Sequence, residues 1–172
     1  RKSAYARPPC LSLRRIGKDE IKIMLREEQE SMKATARLRE LMNNSHTAVA
    51  VGAYDAFSAI LVERAGFDAV YIGSFATEAA FLGKPDLALM NKTERLWIAR
   101  NVVKAVNIPV IVDAEEGYGN AVSVMDTVRD FEAIGVAGIH LDDEDIPSKC
   151  PFIPGIPHNQ LISIDEMCGK IE

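Results

Sequence analysis

The chain has 172 residues, 48% hydrophobic and 26% charged, with 25 acidic against 20 basic side chains for a formal charge of −5. That balance gives neither nucleic acid nor an anionic membrane surface an electrostatic hold, and no apolar run reaches the roughly 18 residues of a membrane span. The three cysteines, Cys10, Cys150 and Cys168, are odd in number and irregularly spaced; no disulfide framework or CxxC zinc pattern is expected, and a reducing, cytoplasmic setting fits. The Arg-rich, acid-free start up to Lys18 leaves a mitochondrial transit remnant as a minor alternative.

In chain order, residues 19–43 carry scattered apolar positions among charges and lack Gly and Pro, the pattern of an imperfectly amphipathic helix. Residues 1–45 are therefore read as an arm and leading helix. The run Thr47 to Gly52 is short, apolar and β-branched, as a buried strand should be. A helix over about 55–66 is expected to end at Gly66. The strand Ala69 to Gly73 follows, and a helix capped by Thr93 then runs to about Val106. Next come the strand Ile108 to Val112, a helix over about 121–134 closed by Gly135, and the strand Ala137 to Leu141. A last helix opens with Ser163 and Glu166 in capping-box spacing. Four strands alternating with helices predict a parallel α/β sheet, doubly wound or barrel. A (β/α)₈ TIM barrel takes roughly 250 residues, so residues 46–172 are read as the first half of one.

The polar residues gather just after the strands. Tyr54 and Asp55 follow the first, Ser74 the second, Asp113, Glu115 and Glu116 the third, and Asp142, Asp143, Glu144 and Asp145 the fourth. In a parallel barrel those ends share one face, where active sites are built. A single acid there can simply cap the next helix. Two acidic clusters on adjacent strand ends repel one another unless a cation lies between them, and oxygen-only donors suit Mg²⁺ or Mn²⁺ better than Zn²⁺. The sixth-position glycine of a calcium loop is missing after Asp142, and the third glycine of a dinucleotide fingerprint is missing after Gly117-Tyr-Gly119. Gly117 and Gly119 instead let the backbone turn tightly beside a metal. His140, inside an apolar strand, and Trp97 are expected in the core, and Cys168 buried and inert. Cys150 lies in a proline-stiffened loop beside Lys149, which can lower a thiol pKa.

The segments Gly52-Ala-Tyr-Asp-Ala-Phe-Ser-Ala59, Ala65-Gly-Phe-Asp-Ala-Val-Tyr71, Leu82-Gly-Lys-Pro-Asp86, Val112-Asp-Ala-Glu-Glu-Gly-Tyr-Gly-Asn120 and Gly135-Val-Ala-Gly-Ile-His-Leu-Asp-Asp143 together resemble the isocitrate lyase/phosphoenolpyruvate mutase superfamily. The resemblance implies a (β/α)₈ barrel, Mg²⁺ (or Mn²⁺), a homotetramer and a small-molecule carboxylate substrate. It implies Asp113 as principal metal ligand, with Glu115 and Asp142 holding the ion largely through water. Asp86 would lie near metal and substrate, and Ser74, twelve residues before it, would receive the substrate carboxylate. Tyr54, Phe75, Ala76, Gly117 and Asn120 would complete the substrate seat. Cys150 would be the general acid of the lyase branch's gating loop, with Lys149 beside it.

The sequence departs from the family pattern in four places. The D-x-D is Asp113-Ala-Glu115, the E-D is Asp142-Asp143, Phe75 stands where a glycine is usual, and the cysteine loop has Ser148 and Pro151-Phe152 in place of its usual lysine and Gly-His. The expected activity is a Mg²⁺-dependent carbon–carbon lyase on a substituted malate or isocitrate-like acid, through an enolate of a 2-oxo acid. The alternatives are a phosphonomutase or oxo-acid hydrolase of the same superfamily, and a barrel paralogue without catalysis.

Overall fold

The structure is a computed structural model that describes residues 34–146, 150, 153–155 and 160–172. The N-terminal arm, the first part of the leading helix, Cys10 and Lys149 lie outside the described residues. The described elements are α1 (Ala34–Asn43), β1 (Ala50–Gly52), α2 (Ala56–Arg64), β2 (Ala69–Ile72) and a short helical turn α3 (Ser74–Thr77) that widens into a π-helical turn (Glu78–Leu82). They continue with α4 (Lys92–Val103), β3 (Val110–Asp113), α5 (Ala121–Ala133), β4 (Gly138–His140) and α6 (Ile164–Ile171).

The four strands form one parallel sheet in the order β1-β2-β3-β4. Register runs Val51 to Val70, Val70 to Val110 and Val112 to Ile139, with Asp113 beside His140. A doubly wound sheet reverses its strand order at a switch point; this order never reverses, as in the wall of a barrel. Val70, Ile72, Val112, Val102, Ala99 and Phe131 make a core between sheet and helices. Fully burying a side chain of the Val or Ile kind stabilises by about 1.5–3 kcal/mol, and continuous β-branched strands need both faces covered to gain it.

The helix starts are fixed by short polar side chains. The Asp55 carboxylate accepts from the Ser58 amide at 2.7 Å while the Ser58 hydroxyl takes the Asp55 N–H. Asp55 is thus a helix cap. The start of α4 is capped by Asn91 with Glu94, not by Thr93; the sequence places two polar residues there, and the one with Glu three positions on completes the reciprocal pair. Asn120 caps α5 through the Ser123 amide, and Ser163 caps α6 through the Glu166 amide. Gly66 and Gly135 both have φ near +90° just past their helices (85° and 88°), as a left-handed exit requires.

Candidate functional site at the strand ends

Asp113 ends β3 and is 7% exposed. Its Oδ1 accepts the Glu115 amide at 3.0 Å; its Oδ2 accepts the Ser74 amide at 3.2 Å and the Tyr71 hydroxyl at 3.3 Å. Both oxygens are therefore oriented by neighbouring strand ends. The Ser74 hydroxyl donates to Asp86 Oδ2 at 2.8 Å, so the structure joins the serine and aspartate whose spacing drew attention in the sequence. Burial pushes the Asp86 carboxyl up, against the lowering effect of that hydrogen bond. In this arrangement both Ser74 donors face protein carboxylates.

Asp142, one residue beyond Leu141, brings a second carboxylate toward Asp113. Ligand atoms of Asp113, His140 and Asp142 all lie within 4.8 Å of one another. Burial, and then the charge of Asp113, push the Asp142 carboxyl up to about 6. His140 stands between Asp142 Oδ1, 3.4 Å from its Nε2, and the Tyr71 hydroxyl, 3.2 Å from its Nδ1. The histidine is 55% exposed and not a core residue, because β4 has no further strand beside it among the described residues. The oxygen donors fit a hard divalent cation: two carboxylates brought this close repel unless Mg²⁺ or Mn²⁺ lies between them, while His140 orients one of them.

Glu115 is 2% exposed and turns away from that pair. Its Oε1 lies 2.8 Å from the Arg95 guanidinium, and its carboxyl groups with those of Glu78 and Asp86. Burial, with the nearby Asp113 charge, pushes it up to about 8, while Arg95 pulls the other way. Its backbone is left-handed, φ 51°, a conformation costing on the order of 1–3 kcal/mol outside glycine. The turn that follows is held at three points: Glu115 O accepts Asp142 N–H at 2.8 Å, Glu116 O accepts Lys170 Nζ at 3.1 Å, and Gly117 O accepts the Thr127 hydroxyl at 3.1 Å. Gly117, φ 89°, is obligatory: a Cβ there would meet Val124 Cγ2 at 2.4 Å.

Among the other expected site residues, Tyr54 is 43% and Phe75 60% exposed, Ala76 is half-buried and Asn120 is exposed on its helix cap. Cys150 is a free, half-buried thiol. Its amide donates to the Asp86 carbonyl at 3.1 Å, which seats the cysteine loop on the same residue that holds Ser74. That loop is closed at its base, where Glu144 bridges antiparallel to Leu161 and the Asp145 amide reaches Gln160 O at 2.7 Å. Two other expectations are corrected. Cys168 is exposed, on the outer side of α6, and Trp97 is 59% exposed and meets Phe81 edge-on at 6.2 Å.

Three residues of the site escaped the sequence reading. Tyr71 is half-buried, and its hydroxyl is held on the acids by desolvation and the Asp113 charge, both of which push its pKa up. Glu78, fully buried, accepts the amides of Leu87, Leu89 and Met90 at 3.1, 2.7 and 3.0 Å. Arg95 is fully buried in the first turn of α4. The available signals were a lone acid within Ala76 to Leu82, and an arginine on the helical face that carries Ile98, Ala99 and Val102.

A parallel sheet of unreversed strand order, with an acidic, cation-compatible site at its C-terminal edge, defines an enzyme-like β/α barrel architecture. The phosphoenolpyruvate phosphomutase family model matches residues 38–172. The chain is 44% identical over 141 residues to 2,3-dimethylmalate lyase of Eubacterium barkeri, covering 82% of this chain and 48% of that protein. It also aligns with a crystal structure of phosphoenolpyruvate phosphomutase from Streptomyces platensis subsp. rosaceus (39% identity, 80% of this chain and 47% of the other, TM-score 0.75). A phosphonopyruvate hydrolase complex with oxalate and Mg²⁺ aligns at 29% identity over 81% of this chain and 46% of the other, TM-score 0.72. The chain belongs to the isocitrate lyase/phosphoenolpyruvate mutase superfamily, whose fold is the (β/α)₈ barrel. It spans about half the length of these relatives. Among the described residues no helix is long and apolar enough to cross a membrane.

Proposed function

We propose that the protein of which these residues form the first barrel half is a Mg²⁺-dependent carbon–carbon lyase acting on a substituted malate or isocitrate-like 2-hydroxy acid. The observation that carries this reading is the meeting of three strand ends on Asp113: Ser74 with Asp86 on one side, Asp142 with His140 on the other, and the Cys150 loop seated on Asp86. The similarity to 2,3-dimethylmalate lyase supports it. Asp113 and Asp142 would hold the cation directly or through water, which supplies stabilisation of charge developing on the substrate oxygens. The Ser74 hydroxyl turns from Asp86 to the substrate carboxylate at the reacting end, while the Ser74 amide stays on Asp113. The Asp86 carboxylate, as general base, takes the proton of the 2-hydroxyl; the C2–C3 bond breaks and C2 becomes the carbonyl of a 2-oxo acid. The electron pair stays on C3 of the departing acid, and the Cys150 thiol delivers a proton there as general acid. This electron count puts the carbanion on the departing acid, so the enolate of a 2-oxo acid expected from the sequence belongs to the phosphonomutase alternative. Before substrate binds, the Asp86 side chain holds the Ser74 hydroxyl, and its carbonyl holds the Cys150 amide. Assembly as a homotetramer and a cytoplasmic setting complete the proposal.

The test is release of a 2-oxo acid from 2,3-dimethylmalate and 2-methylisocitrate by the full-length protein with Mg²⁺ or Mn²⁺. Chelation and Asp113→Ala are each expected to abolish it, and Asp113→Ala to abolish Mn²⁺ binding in the same preparation. Full turnover by Asp113→Ala would sink the assignment, and turnover only of a phosphonate substrate, followed by phosphorus NMR, would move the protein to the mutase or hydrolase branch.

A further inference from the structure

We infer that Arg95 is a positioning residue that fixes the distance between the metal-facing acids and the seat of the substrate carboxylate. This inference rests on the function proposed above. Arg95 starts on an outer helix and reaches inward, fully buried. One arm of its guanidinium meets Glu115 Oε1 at 2.8 Å. The other arm donates to the Thr77 hydroxyl and, at 3.4 Å, to the Gly73 carbonyl. The Thr77 hydroxyl in turn lies 2.8 and 2.9 Å from the carbonyls of Gly73 and Ser74, closing the turn that presents Ser74.

Both arms end one hydrogen bond from Asp113. Glu115 sends its amide to Asp113 Oδ1, and Ser74 sends its amide to Asp113 Oδ2. The result is a closed ring running Arg95, Glu115, Asp113, Ser74, Thr77 and back to Arg95, in which each carboxylate oxygen of Asp113 is held by a segment that Arg95 ties down. The left-handed backbone of Glu115 is kept in place by the same contact. A lysine cannot do this. Its compact ammonium has the charge but not the planar fork that spans two partners in fixed directions.

The ring also decides between two acidic groups. Glu78, Asp86 and Glu115 could face a cation by distance alone. Glu78, however, is engaged by three amides, and the group already contains the Arg95 charge. The geometry makes that cluster an internal brace, and leaves one cation site among the described residues, at Asp113 and Asp142.

The experiment uses the full-length protein and measures Mn²⁺ affinity and stoichiometry by titration, then KM and kcat separately. Arg95→Lys is expected to weaken Mn²⁺ binding about 10- to 100-fold, the range for losing an outer partner of a metal ligand, with a stoichiometry of one in the unsubstituted protein. Thr77→Val cuts the arm toward the Ser74 turn, which holds one of the two Asp113 oxygens, so it is expected to raise KM several-fold with a smaller loss of Mn²⁺ affinity than Arg95→Lys. Wild-type Mn²⁺ affinity and KM in a folded Arg95→Lys would overturn the inference. If Arg95→Lys lacks a cooperative melt, Thr77→Val decides alone, and an unchanged KM overturns it. Binding of Mn²⁺ that Asp113→Ala removes and Arg95→Lys spares sinks only this inference. A wild-type protein that binds no Mn²⁺ sinks the functional reading together with it.

Discussion

Glu78 touches no substrate in the proposed chemistry, yet it organises the segment that carries Asp86. Its two oxygens take the amides of Leu87, Leu89 and Met90, three donors that the left-handed turn at Ala88, φ 53°, leaves pointing inward. Each buried donor left unmade costs about 1–3 kcal/mol, so Glu78→Ala is expected to lose about 3 kcal/mol or more in denaturant unfolding, and Glu78→Gln clearly less. A loss below about 1 kcal/mol for Glu78→Ala would show that the loop holds itself. Asp142 makes a prediction of opposite kind. Its carboxyl rises from 3.8 to about 6 on folding, so between those values the native state binds more protons than the unfolded one. Stability of the metal-free protein contributed by this group therefore falls as pH rises through that window, and is fully present below it. The cation needs the deprotonated form, so the melting-temperature rise produced by Mn²⁺ should grow between about pH 5 and pH 7. A rise that is flat across that range would separate Asp142 from the metal.

At the scale of elements, the loop between β4 and α6 carries Cys150, whose amide meets the Asp86 carbonyl, while the strands bring the acids. The two are separable. Cys150→Ala is expected to lower kcat about 10²- to 10⁴-fold, the usual contribution of a general acid, with Mn²⁺ affinity unchanged, because Asp113 and Asp142 sit at strand ends and not in the loop. Near-full turnover on the true substrate would remove the main support for a lyase. The same division explains what the sequence disclosed. Buried parallel strands are short apolar runs and acids placed just after them are conspicuous, so β1 to β4, Asp113 and Asp142 could be read directly, whereas the Ser74–Asp86 spacing came from the resemblance to the superfamily. Arg95, Glu78 and Tyr71 could not, because their roles depend on partners 20, 9 to 12 and 42 residues away. His140 was misread because its neighbours Ile139 and Leu141 are apolar. A strand pattern gives alternation but does not say which strand lies at an edge. Thr93 was misread as a cap because the choice between two adjacent polar residues is settled by the reciprocal bond from Glu94, a matter of one residue in register.

At the largest scale, the decisive feature is that the four strands of the described residues make a wall and not a closed barrel. β2 and β3 are paired on both sides, whereas β1 and β4 each leave one row of amides and carbonyls without a strand among the described residues. Burial follows this closely: Val70, Ile72, Val110 and Val112 are inaccessible, while β4 has no fully buried residue and β1 none either. Open parallel edges invite pairing with other chains, and the relatives, twice as long, have the further length from which a barrel closes. A polypeptide limited to residues 34–172 is therefore expected to elute from size exclusion as associated species, without a single cooperative melt. The full-length protein should give one discrete assembly. Amide exchange locates the cause: in the short chain Val70 and Val112 should stay protected longer than Val51 and Ile139, and in the full-length protein the edge strands should approach the central ones. A monodisperse short chain with slow exchange at Val51 and Ile139 would mean that the edges are covered by something other than further strands, and that closure of a barrel is not what stabilises this fold.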